Sequence, residues 1–164
     1  MLQSYPENVK IVYKMHPLPS HSFAQRAAQA ALAAQAQGKF LEMHELLLAR
    51  YRNYATLGAQ KAAALGLTPD QRGSAEVQDA VFVDFARELG LDEDRFLAVY
   101  NSPETKARIA AETQEAVGVG ATGTPASFVN GRYIRGAAPY AKFQALVDQA
   151  LGTETTTSTM SPNP

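Results

Sequence analysis

Val119-Gly120-Ala121-Thr122-Gly123-Thr124-Pro125-Ala126-Ser127-Phe128-Val129-Asn130-Gly131 is the stretch on which the fold turns. Ala126-Ser127-Phe128-Val129 reads as a short strand, and the Asn130-Gly131 that follows favours the positive φ angles of a type I′ turn, whose twist suits a tight hairpin. Tyr133-Ile134-Arg135 supplies the returning strand and Gly136 ends it. Pro139 then opens a helix whose Phe143, Leu146, Val147 and Ala150 share one face, closed by Gly152. Upstream, Gly118 and Gly120 break a helix. Gly118, Gly120 and Gly123 do not make a phosphate loop, because no Lys-Ser/Thr follows them and the segment enters a strand rather than a helix.

At the other end of the chain, Val9-Lys10-Ile11-Val12-Tyr13-Lys14 is a β-branched and aromatic run that predicts a strand, stopped by Pro17 and Pro19. A helical block is predicted from about Ser22 to Val117. Ser20 or Ser22 caps an alanine-rich helix ending at Gly38, and the Ala27 to Ala36 stripe implies close helix packing. Phe40, Met43, Leu47 and Tyr51 form one apolar stripe, and a helix from about Leu57 to Leu65 stops near Gly66. Thr68-Pro69-Asp70 caps a brief turn limited by Gly73. Val77, Val81, Phe85 and Leu89 mark another amphipathic helix. Asp92 caps a short helix carrying Phe96, Leu97 and Tyr100, and Ser102-Pro103-Glu104 opens the last helix of the block. Ile11, Phe128 and Phe143 are the expected core contributors of the strand-bearing parts. Residues 153–164 have almost nothing to bury and are expected to form a disordered tail.

The chain has 164 residues, 46 % hydrophobic and 19 % charged, which fits one compact globular domain. A net charge of −1 gives no electrostatic case for nucleic acid or an anionic membrane surface, and no stretch is apolar for long enough to insert in a bilayer. Residues 1–8 show no basic region followed by an apolar run, so no signal peptide is visible. Cysteine is absent, which excludes disulfides, thiolate metal sites and cysteine nucleophiles within this sequence. His16, His21 and His44 have no metal-ligand spacing and read as surface or packing residues. Asp92-Glu93-Asp94 reads as negative charge in the first turn of a helix. No cofactor or metal is expected.

Three segments, in this order, resemble the DsbA-like thioredoxin family. Residues 9–21 are similar to its second core strand and the proline-containing loop after it. Gly38-Lys39-Phe40-Leu41-Glu42-Met43-His44-Glu45-Leu46-Leu47 resembles the opening of its inserted helical domain. Val119 to Gly131, continued through Gly136 into the last helix, is the most specific of the three. The resemblance implies an α/β, thioredoxin-like fold with an inserted helical domain and the first βα unit missing. Its divisions would be 1–20 as partial core with the second core strand, 21–117 as inserted helical domain, 118–152 as core with hairpin and last helix, and 153–164 as tail.

By the same resemblance the Thr124-Pro125 bond is cis, against an ordinary trans proline opening a strand. Gly123, Thr124 and Pro125 would then be the substrate-binding residues, with the residue before the proline offering backbone groups to an extended polypeptide. The family's Cys-x-x-Cys precedes the part matched here, so the chain reads as N-terminally truncated and redox-inactive. The implied function is protein thiol–disulfide oxidoreductase. Its alternatives are a non-catalytic peptide-binding or chaperone-like module and a glutathione-using relative of the kappa transferase type, in which a serine replaces the cysteine. Expected partners are extended segments of protein substrates, with self-association through open sheet edges. The family is often extracytoplasmic, and the sequence leaves the compartment open.

Overall fold

The computed structural model describes residues 1–152; the predicted tail at 153–164 lies outside them. The chain divides into two compact units, Lys14–Gly120 and a second formed by Met1–Tyr13 with the residues from Ala121 onward.

The first unit is helical: α1 (Ala24–Gln35), α2 (Phe40–Arg50), α3 (Tyr54–Ala64), α4 (Ala75–Glu88), α5 (Glu93–Tyr100) and α6 (Pro103–Gly118). Local chemistry sets most of the boundaries. Ser74 Oγ, Asp92 Oδ1 and Ser102 Oγ accept from the backbone N–H groups of Val77, Arg95 and Thr105 at 3.3, 2.9 and 3.0 Å, satisfying donors that a helix start otherwise leaves open. Thr68 and Gln71 form a capping box on a 3₁₀ turn at Pro69–Gly73.

Two boundaries depart from the sequence reading, and both are set by packing. α1 has Phe23, not Ser20 or Ser22, at its N-cap, with no side-chain cap. The Phe23 ring lies 5.2 Å from Tyr54 and 6.2 Å from Phe82, so aromatic contact fixes where the helix begins. α3 starts at Tyr54 rather than near Leu57 because Tyr54 joins the same cluster, edge-on to Phe82 at 5.8 Å. A 3₁₀ turn at Tyr51–Asn53 precedes it and takes Tyr51 out of the α2 stripe into solvent, where the Arg52 guanidinium sits 5.6 Å from the ring. Met43 and Leu47 remain buried.

Small side chains bring α1 close to its neighbours. Ala30, Ala31, Ala33 and Ala34 are buried in one cluster with Met43, Phe82, Phe85, Phe96 and Tyr100. Two buried polar side chains here are paired: Gln29 Nε2 donates to the Tyr100 carbonyl at 2.7 Å, and the Tyr100 hydroxyl donates to Asp79 at 2.7 Å. Burial, with Asp79 adding to it, raises the Tyr100 phenol above its ordinary pKa, and burial alone raises Tyr54.

The second unit contains β1 (Ala126–Val129), β2 (Arg132–Arg135) and α7 (Tyr140–Leu151). The strands are antiparallel, pairing Ala126 with Arg135, Ser127 with Ile134, Phe128 with Tyr133 and Val129 with Arg132. Asn130 (φ 46°) and Gly131 (φ 82°) form the turn between them. α7 packs on β1, and Ile134 of β2 and Val147 of α7 are buried. Residues 1–5 make a single turn, with the Ser4 and Tyr5 N–H groups bonded to the Met1 carbonyl at 3.0 and 2.9 Å. That turn is fastened to α7: the Tyr5 hydroxyl donates to Asp148 at 2.6 Å, and the Tyr140 hydroxyl donates to Ser4 Oγ at 2.7 Å. The bond to Asp148 is the main cause of a raised Tyr5 pKa.

The strand predicted at Val9–Lys14 does not form. Among the described residues the sheet consists of β1 and β2 alone. A β-branched run becomes a strand only when a neighbour takes up its N–H and C=O groups. Ile11 is 42 % and Val12 65 % exposed, and Phe128 is also exposed, so two of the three expected core residues are not core. Phe143 is half-buried. Ile134 and Val147 hold that role instead, both being buried.

Candidate functional site

Residues 121–125 lead into β1. Ala121 is buried and anchors the segment, Gly123 is half-buried, and Thr124 and Pro125 are exposed. The Thr124–Pro125 peptide bond is cis. The Pro125 carbonyl accepts from the Gly136 N–H at 2.9 Å, which carries the hairpin ladder one step beyond Ala126–Arg135. Thr124 lies just outside the ladder, and neither its N–H nor its C=O is hydrogen-bonded to any described residue. β1 pairs with β2 along one edge only. The three residues singled out in the sequence therefore lie together at the open end of a strand with a free edge. A Cβ at Gly123 would meet nothing within 4 Å, so crowding does not demand glycine there.

The aromatic pair beside this loop was not among the residues singled out. Phe128 and Tyr133 stack across the hairpin at 4.8 Å between ring centroids, 16° from parallel, and remain 44 % and 38 % exposed. The signal for it was present, since a two-residue turn at 130–131 places 128 opposite 133. An exposed apolar face next to unpaired backbone is suited to holding an extended polypeptide by strand addition. With no cysteine in the sequence, the site cannot form a mixed disulfide by itself.

The histidines stand apart from this loop in the helical unit. Both ring nitrogens of His16 are buried without a hydrogen-bond partner, and His44 stacks on Phe40 at 5.9 Å, at the edge of the core as expected. Among the described residues no three His, Cys, Asp or Glu side chains are grouped to hold a metal ion.

A family profile described as "DSBA-like thioredoxin domain" matches residues 70–148, a stretch that includes the Thr124–Pro125 loop and the hairpin. This match supports a DsbA-like thioredoxin-fold family for the chain. Its many helices and small sheet fit an α/β, thioredoxin-like fold. Over 144 residues it is 33 % identical to "Na(+)/H(+) antiporter NhaA 1" of Salinispora arenicola, and over 134 residues 35 % identical to "Na(+)/H(+) antiporter NhaA 3" of Salinispora tropica. Over 124 residues it is 30 % identical to "Na(+)/H(+) antiporter NhaA" of Herminiimonas arsenicoxydans. These matches take in 87 %, 81 % and 76 % of this chain but 19 %, 17 % and 16 % of those proteins, so the chain spans less than a fifth of the curated relatives it matches. No solved structure gives a significant match.

Proposed function

We propose that this DsbA-like chain carries the polypeptide-holding part of a protein thiol–disulfide oxidoreductase, and that the thiols which complete the reaction lie outside these 164 residues. The observation that carries the reading is the open Thr124 backbone at the free end of β1, in a region matched to the family. An extended substrate would add along that edge, with its side chains against Phe128 and Tyr133. The helical unit takes the part of the inserted domain, and the first βα unit is the piece that would pair both Val9–Tyr13 and β1. The proposal takes nothing from the antiporter names, which describe proteins of which the match spans under a fifth. Among the described residues no helix is long and apolar enough to cross a membrane.

The test is a pair of turnover assays. The purified chain is expected to leave the dithiothreitol reduction of insulin at the uncatalysed rate, and the same chain preceded by a strand–Cys-x-x-Cys–helix segment is expected to accelerate it. If the extended chain is folded and still silent, the oxidoreductase reading is wrong.

A second reading, favoured by the absence of any thiol, is a non-catalytic module that binds extended peptides at the same edge. It predicts peptide binding by the unextended chain, lost when Thr124 is replaced by Pro, which removes the N–H. The same open edges would pair two copies of the chain, seen as a concentration-dependent mass in size exclusion.

A further inference from the structure

We propose that Glu112 is a latch tying together the two places where the chain passes between its units. The chain enters the helical unit between residues 13 and 14 and leaves it between 120 and 121. Met15, just inside the first crossing, donates its backbone N–H to Glu112 Oε2 at 2.6 Å. Its neighbour Lys14 reaches Glu115 Oε2 at 2.8 Å. Both glutamates belong to α6, the helix that runs out to the second crossing. Glu112 lies about 9 Å along the helix axis from Gly118, at 1.5 Å per residue.

The two contacts differ in kind. Lys14 and Glu115 are both exposed, and such a pair is weak. Glu112 is buried, 8 % exposed, and uses both oxygens. Oε1 accepts from Arg108 Nε at 2.9 Å, and Arg108 is braced in turn by Gln35 of α1 at 2.8 Å. A carboxylate is tolerated out of water only where it is paired and hydrogen-bonded. Loss of the Met15 N–H would therefore leave a buried oxygen uncompensated, and the carboxylate holds the entering chain in place. The Met15 side chain packs into both hydrophobic clusters of the helical unit, which adds shape to the charge.

The consequence is a shared anchor. The Val9–Tyr13 segment and the loop that leads to Thr124 both adjoin stretches anchored on α6, so what loosens one loosens the other. This holds whatever occupies the Thr124 loop.

Residue-resolved hydrogen exchange on the full chain tests the latch at three amides: Met15, bonded to Glu112, and Val119 and Gly120, bonded to the Glu115 and Val117 carbonyls. Glu112→Ala is expected to speed all three by about tenfold or more, the size expected for a hydrogen bond to a charged group. The buried amides of α4 are expected to stay unchanged. Glu112→Gln, whose amide oxygen still accepts from Met15, is expected to produce a smaller increase at the same three positions, and it carries the test if the alanine variant does not fold. Acceleration confined to Met15 would overturn the proposal. So would uniform acceleration through α1–α6, which would make Glu112 a general stabiliser of the helical unit.

Discussion

The helical unit and the hairpin unit obey the same chemistry with opposite results. In the helical unit each backbone group finds its partner four residues away, so the six helices need neighbours only for their apolar faces, and α1 and α4 meet over Phe82 and Phe85. In the hairpin unit a strand's backbone needs a second strand to be satisfied, and among the described residues only β1 and β2 supply each other. Ile11, Val12, Tyr13, Phe128 and Tyr133 all stay exposed there. A helix satisfies its backbone with what it contains, whereas a strand leaves an edge wherever no neighbour is present.

The strongest way to break this contrast is to hollow the closed side. Phe82→Ala is expected to cost about 3–5 kcal/mol, because Phe82 is wholly buried and touches Phe23, Tyr54 and Phe85. Urea denaturation followed by far-ultraviolet circular dichroism reads it directly. A loss below 1 kcal/mol would mean that the helical unit is as loosely packed as the hairpin.

Gly58→Ala comes next. A Cβ at this position would run into the backbone carbonyl of Arg72, on the 3₁₀ turn that packs against α3. Backbone cannot move aside as a side chain does, so the cost is expected at about 1–3 kcal/mol, seen as a lowered denaturation midpoint with an unchanged slope.

The buried phenols give a milder effect that is tied to pH. Tyr54 and Tyr100 have pKa values raised by burial above the ordinary 10.0. The unfolded chain loses these protons at lower pH than the folded chain, so their contribution is complete below about pH 10 and falls as pH rises beyond it. The ultraviolet phenolate signal is expected to rise first for exposed tyrosines, with the last increments appearing together with unfolding. Ionisation of all the tyrosines before any loss of helix would contradict the closed core.

The smallest effect is expected on the open side. Phe128→Ser should change stability by less than about 0.5 kcal/mol, since the ring is already half in water. It is also expected to reduce self-association. Were it to cost as much as Phe82→Ala, the Phe128 face would be covered after all.

What the sequence disclosed follows the same division. Helix ends at Asp92 and Ser102 were legible because a cap, its N–H and the following apolar spacing lie within a few residues. The hairpin was legible because Asn130-Gly131 fixes a turn locally and the turn fixes the register. Val9–Tyr13 misled because its residues suit a strand while its pairing depends on residues elsewhere. The starts of α1 and α3 were missed for a related reason, since a distant aromatic cluster sets them. Gly123, Thr124 and Pro125 were singled out through the family resemblance of the residues around them, whereas the exposure of Phe128 could not be read without knowing what fails to cover it.

The bond between Tyr5 and Asp148 gives the protein a timetable. Its two partners are 143 residues apart in sequence. At a synthesis rate of roughly 5–20 residues per second, Tyr5 waits roughly 7–30 s for Asp148 to be made. Every residue of the helical unit, which ends at Gly120, is synthesised within that interval. The turn at residues 1–5 is therefore made before the helical unit and can be fastened only after α7 has been made.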